Sequence, residues 1–230
     1  MTRTAVVVGA GQGMGRAVAL RLAQEGATVH LVGRTQSKLE AVAQKIHSAG
    51  GQCAVYPADV TLPRALDDLV DQIDGSVDIL VHSVGESLMK SLTETTFEDW
   101  QRMLDVNLTS VYVVTHAILP SLRASANASI VLISSKTALK GYPVVAYSAA
   151  KAGVLGFARS LASELASERI RVVPLCPGPT DTPMRWSSTP EMDPSLVMDV
   201  DSIALTVSYL VGLPRGVTAD TILVQSALYD

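Results

Sequence analysis

Short runs of β-branched and apolar residues alternate along the chain with longer Ala- and Leu-rich segments that carry a helical period. The pattern predicts a strand over residues 4–8, a helix over 13–25 with Val18 and Leu22 on one face, and a second strand over 28–32. Gly26 stands where that first helix must stop. The alternation continues with a helix over 37–48, a strand over 52–56, a helix over 63–73 and a strand over 77–82. A long helix over 97–124 follows, then a strand over 129–134, a helix over 143–166 and a strand over 170–175. The least regular stretch is 177–194, rich in Pro, Thr, Ser and Met; a helix over 200–211 and a strand over 221–224 come after it.

The strands lack polar alternation, which predicts burial on both faces. Strands separated by helices imply an α/β fold: a doubly wound, Rossmann-type parallel sheet of about seven strands with helices on both faces. Ligands then bind beyond the carboxyl ends of the strands. No repeat or linker divides the chain, so residues 1–230 are expected to form one domain, with a substrate lid at about 179–199.

Composition narrows the class. Hydrophobic residues make up 48% and charged residues 17%, with only two Phe and two Trp, so the core is built from Ala, Val, Leu and Ile. A net charge of -4 offers no basic footprint for nucleic acid or an anionic membrane. The first apolar run, Ala5 to Val8, is too short and too soon interrupted by glycine for a signal peptide or a membrane span, and the expected compartment is the cytoplasm. Cys53 and Cys176 have no metal-ligand spacing and are read as small buried hydrophobes, and no metal is expected.

Candidate chemistry begins where the first strand runs into Gly9-Ala10-Gly11-Gln12-Gly13-Met14-Gly15 and a helix. Glycines there let backbone amides approach a pyrophosphate at a helix N-terminus. The second strand ends at Gly33-Arg34, without the carboxylate that would hold a ribose 2′-hydroxyl. A guanidinium binds a 2′-phosphate instead, so NADP(H) is expected over NAD(H).

Further on, Tyr147 and Lys151 stand four residues apart on a predicted helix, hence on one face and roughly 5–6 Å apart at Cβ. An ammonium beside a phenol stabilises the phenolate and is expected to lower its pKa, fitting Tyr147 for general acid–base work. Ile130 to Ser135 reads as a buried strand ending in two serines, either of which can offer a hydroxyl to a substrate carbonyl.

With these pieces in order, the sequence resembles the short-chain dehydrogenase/reductase family over almost its whole length. The matching motifs are Gly9-x-x-x-Gly13-x-Gly15, Asp59-Val60, Asn107 within Asp105-Val106-Asn107-Leu108, Ile133-Ser134-Ser135, Tyr147-x-x-x-Lys151, and Pro177-Gly178 followed by Thr182. The resemblance implies a carbonyl- or ketoacyl-reductase-like enzyme in which Ser135 polarises the carbonyl and Tyr147 passes the proton. Lys151 would bind the nicotinamide ribose and lower the tyrosine pKa, and Asn107 would kink its helix and complete a water-linked proton relay. Asp59 and Val60 would contact the adenine and Thr182 the carboxamide. The cofactor set so expected also includes Gly11, Gln12, Met14, Ser83, Gly85, Pro177 and Gly178.

Three departures stand out. The fourth strand ends His82-Ser83-Val84-Gly85 where the family usually has Asn-Asn-Ala-Gly. The spacing from the serines to Tyr147 is one residue short, leaving Ser134 and Ser135 both open, with Ser135 preferred as the end of the matched run. The tail lacks the common Asp-Gly-Gly ending. The resemblance further implies a homodimer or homotetramer formed through the helix carrying Tyr147 and the one carrying Asn107. The leading expectation is hydride transfer between NADP(H) and a small carbonyl or secondary alcohol; the alternative is a non-catalytic NADP(H) sensor or scaffold with the same fold.

Overall fold

The computed structural model describes residues 2–73 and 75–229; positions 1, 74 and 230 of the expected domain lie outside them. Seven parallel strands form one sheet: β1 (Thr4–Val8), β2 (Thr28–Gly33), β3 (Gln52–Pro57), β4 (Ile79–His82), β5 (Ser129–Ile133), β6 (Arg171–Pro177) and β7 (Ile222–Val224). Their spatial order is β3-β2-β1-β4-β5-β6-β7. The order reverses between β1 and β4, where Ala5 pairs with Ile79 and Val8 with His82. That reversal opens a crevice at the carboxyl ends of the two central strands.

Strand alternation sorts the core. Ala5, Val7, Val29, Leu31, Ile79 and Val81 face α1 (Gly13–Gln24), α2 (Gln36–Ser48) and, further along the sheet, the late C-terminal helix over 200–211. Val6, Val8, Leu80, Ile130 and Leu132 face the opposite layer. That layer holds α3 (Asp67–Gln72), α5 (Ser110–Arg123) and α6 (Val145–Leu165), with α4 (Phe97–Leu104) leading into α5. Each fully buried Val or Leu in these layers contributes about 1.5–3 kcal/mol through removal from water. Burial on both faces holds for β1, β4, β5 and β6 but not for β3 and β7, which are the sheet's edges and stay partly exposed.

Four expectations change. The helix expected over 63–73 begins only at Asp67, because residues 63–66 form turns. The long helix expected over 97–124 is broken: α4 ends at Leu104, a π-turn spans Asp105–Thr109, and α5 then resumes. The stretch expected to be irregular contains α7 (Pro183–Ser188), a 3-10 turn at Pro194–Leu196, and a bridge from Thr180 to Met198 ahead of α8 (Val200–Val211). Thr182 caps α7 by accepting from Arg185 N at 3.1 Å. Cys176 is buried, but Cys53 is only half-buried, since edge strand β3 leaves it 3.5 Å from His47 Nε2.

Candidate active site

The loop after β1 is shaped by close approach. Gly9 has φ +84° and passes so near the end of β4 that a Cβ there would lie 2.9 Å from the Ser83 carbonyl. A Cβ on Gly15 would lie 2.2 Å from the Gly9 oxygen, so Gly15 lets the first turn of α1 close on the loop and faces packing, not the cleft. Gly13 has φ +53° and passes under the Thr182 methyl. Gln12, the N-cap of α1, makes no side-chain cap bond, and the first turn holds no acidic residue. The amides there are therefore free for an anion.

This loop floors an open cleft. Gly9, Gly11, Gln12, Gly13 and Met14 line it together with Arg34, and Asp59, Val60, Ser83, Gly85 and Thr182 line the rest, with Tyr147 and Lys151 at one end. Its shape, glycine floor and helix terminus fit a dinucleotide. Lys38, in the first turn of α2, also lines it and donates to Gln12 Oε1 at 2.6 Å. The sequence reading missed Lys38; its signal was a second cation four residues after Arg34. The Asp59 carboxyl is held below its ordinary range by the Thr61 hydroxyl, which donates to it at 2.7 Å, and Arg34 adds to the effect.

At the other end of the cleft, α6 starts at Val145 and puts Tyr147 in its first turn and Lys151 one turn later. The Lys151 ammonium is buried and donates to the Ile133 carbonyl at 3.1 Å. It lies 6.0 Å from the centre of the Tyr147 ring. Burial pushes Lys151 down to about 8. Tyr147 moves the other way from what the sequence implied. Burial raises the phenol, while the neighbouring Ser135 hydroxyl and the Arg185 charge pull against that without overcoming it.

The two serines at the end of β5 differ in their commitments. Ser134 Oγ donates to the Lys151 carbonyl at 2.8 Å and so ties β5 to α6. Ser135 Oγ accepts from Thr137 N and lies beside Tyr147. Asn107 sits fully buried in the π-turn. Its amide donates to the Glu86 carbonyl at 3.0 Å and to the Met103 carbonyl at 3.1 Å, and its oxygen accepts from Glu86 N at 3.2 Å. A Cβ on Gly85 would lie 3.0 Å from Asn107 Oδ1 and 3.2 Å from Lys151 Nζ, so the bare glycine is what lets the three meet.

His82 fills the place where the family motif has asparagine. It is buried, with Nε2 3.2 Å from Ser110 Oγ and no partner for Nδ1 among the described residues. Burial, then the Lys151 charge, drops its pKa to about 3.

A second cavity adjoins the cleft and shares Met14, Ser134, Tyr147, Thr182 and Met184 with it. Ser135 opens on this second cavity, as do Pro177 and Gly178, which the sequence reading had assigned to the cofactor. Met184 and Met192 line it, while Trp186 is tied to Asp181 through an indole bond of 2.7 Å. Lys136 and Arg185, also in its wall, were not singled out from sequence.

Comparison with known proteins places this arrangement. The short chain dehydrogenase model matches residues 3–193. An uncharacterized oxidoreductase of Staphylococcus epidermidis is 32% identical over 97% of this chain and 96% of its own length. One from Staphylococcus aureus is 33% identical over the same shares. Among solved structures, an actinorhodin polyketide ketoreductase with NADPH superposes with a TM-score of 0.91 at 29% identity, covering 99% of this chain and 97% of that one. A short chain dehydrogenase of Shigella flexneri complexed with NADP gives 0.90 at 31% identity, covering 96% of each. No helix among the described residues is long and apolar enough to cross a membrane. With a family model spanning most of its length and relatives a third identical throughout, the chain belongs to the short chain dehydrogenase family of oxidoreductases.

Proposed function

We propose that the protein moves a hydride between NADP(H) and a ketone, aldehyde or secondary alcohol, with Tyr147 as the general acid–base. The observation that carries this is the meeting of Ser135, Tyr147 and Lys151 where the glycine-floored cleft opens into the second cavity. When bound, the cofactor supplies or accepts the hydride. The amides of residues 11–13 and the start of α1 would hold its pyrophosphate, those of Gly9 and Ala10 being spent on the Val32 carbonyl, and Arg34 with Lys38 would take a 2′-phosphate. The NADPH and NADP in the ketoreductase and Shigella structures support that choice of cofactor.

The chain's own groups divide the proton work. Ser135 donates its hydroxyl hydrogen to the carbonyl oxygen and orients it. Tyr147, kept protonated by burial, donates its phenolic proton to that oxygen in reduction and recovers one from it in oxidation. Lys151, weakened to about 8, keeps an exchangeable proton one helical turn away. Asn107 is a positioning residue: two bonds tie it to the Glu86 backbone and a third to the Met103 carbonyl, fixing the loop beside the cleft. A sensor without turnover gives no reason to place a hydroxyl, a phenol and a buried amine together at this junction.

Tyr147→Phe tests the reading. Turnover in an NADPH-oxidation assay is expected to fall by about 10²–10⁴-fold, with NADPH affinity by fluorescence titration changed little. Retained turnover overturns the mechanism. We also assign the exposed Ala149, Ala152 and Gly156 of α6 and Tyr112 of α5 to a homodimer or homotetramer contact; light scattering that finds only monomer refutes it.

A further inference from the structure

The second cavity carries charge that hydride transfer to a simple ketone does not use. Lys136 follows Ser135 directly and is 3% exposed. Its Nζ has no hydrogen-bond partner among the described residues. Its neighbour is the Tyr229 ring, with the centroid 4.1 Å away. A cation–π contact is worth about 0.5–2 kcal/mol, less than the several kcal/mol that taking an ammonium out of water costs. Three strong donors at the cavity wall are thus left unspent.

Arg185 approaches the same cavity from α7. Its Nη1 donates to Thr189 Oγ1 at 3.0 Å, and its Nε has no partner among the described residues. Neither cation joins an ion pair among the described residues, and no Asp or Glu among them lines the cavity. Asp181, at the foot of the lid, is engaged by the Trp186 indole. Arg185 also reaches the reactive group: burial raises the Tyr147 and Tyr229 phenols, and the Arg185 charge opposes that at both.

Two cations with unfilled donors, in a cavity that supplies no carboxylate and opens onto Ser135 and Tyr147, call for an anion from outside. We infer that the substrate is a carbonyl compound, or its alcohol, carrying a carboxylate or phosphate monoester that Lys136 and Arg185 bind. This rests on the reading of Ser135, Tyr147 and Lys151 as a carbonyl-reducing site. It adds a substrate class: a small oxo acid or oxo phosphate, with the neutral ketone the poorer substrate.

The test uses matched pairs in the NADPH-oxidation assay: levulinate against methyl levulinate, and dihydroxyacetone phosphate against dihydroxyacetone. At least one anionic member is expected to exceed its neutral partner by about tenfold or more in kcat/KM, and the pair showing this identifies the group. Lys136→Gln and Arg185→Gln, on separate elements, should each cut that anion-to-neutral ratio by about tenfold, mainly through KM. Calorimetric titration of the cofactor-free protein with butyrate and glycerol phosphate, against butyramide and glycerol, reads the site without turnover. Equal kcat/KM within both pairs, or a preference that survives both variants, overturns the inference while leaving the reductase reading intact. Anion binding lost in the variants, with no NADPH oxidation by any carbonyl, keeps the anion site and removes the reductase reading. Absence of both binding and turnover removes both.

Discussion

His82 ties acid stability to the departure at the end of β4. Ser110 Oγ gives its own proton to the Val106 carbonyl at 2.7 Å, so it accepts from His82 Nε2, and the imidazole is the neutral Nε2–H form with Nδ1 bare. A second proton on Nδ1 would be a buried charge without an acceptor, facing the Lys151 ammonium. The folded pKa is accordingly lowered from 6.5 to about 3. Between those values the unfolded chain binds the proton and the folded chain does not. The stabilisation is therefore complete above pH 6.5 and is lost as pH falls through the window. At 1.36 kcal/mol per unit, the loss is about 2 kcal/mol by pH 5 and about 4 kcal/mol by pH 3, a large part of the roughly 5–15 kcal/mol that holds a domain folded. Urea unfolding at pH 7 and pH 5, for the natural chain and His82→Asn, isolates this effect, because acid losses at carboxylates occur in both and cancel. The pH 7 to pH 5 drop should be smaller in His82→Asn by about 2 kcal/mol. Equal drops in the two proteins would refute the assignment.

Other outcomes follow from the same geometry. Arg34→Asp should raise KM for NADPH by about 10- to 100-fold, the value of a lost charge-assisted bond, and improve NADH; unchanged kinetics with both cofactors would remove Arg34 from the site. Gly15→Ala drives a methyl into the Gly9 carbonyl, and should cost about 1–3 kcal/mol, with a matching loss of NADPH affinity, measured by thermal unfolding and fluorescence titration. Lys151 is charged at neutral pH although the fold lowers its pKa from 10.5 to about 8, so stability rises with pH across that window. Lys151→Met should thus gain up to roughly 3 kcal/mol at pH 7 while losing turnover; a less stable variant in urea unfolding contradicts this.

The parts of this molecule readable in sequence are those set by local spacing. The strand-helix alternation, the glycine floor before α1 and the four-residue step from Tyr147 to Lys151 each depend on neighbours in the chain. A kink at Asn107 was implied by the family motif, but its form, a π-turn over Asp105–Thr109 with the Asn107 side chain bonded to the Glu86 backbone, involves a partner reached only through the fold. The same holds for the Tyr147 phenol. From sequence its neighbour was the Lys151 charge, whereas in the fold desolvation dominates and Lys151 is turned to Ile133. Lys136 carries no signal of its own in the sequence; the Tyr229 ring, far along the chain, is brought against it only by the fold. The bond that occupies Ser134, to the Lys151 carbonyl, likewise joins two elements that only the fold brings together.

The strand order also bears on how the protein acquires its cleft. The first unit, β1 to β3, is built from parallel strands each joined to the next by one helix, but β1 reaches β4 only across a separation of 74 residues, as in the bond from Thr4 N to Asp78 Oδ2. Closing so long a loop is entropically slow. Gly9 meets Ser83 only once that crossover has docked, so β1 to β3 by themselves leave the glycine loop without its opposite wall. Nucleotide capture is thereby reserved for chains whose two sheet halves have already joined.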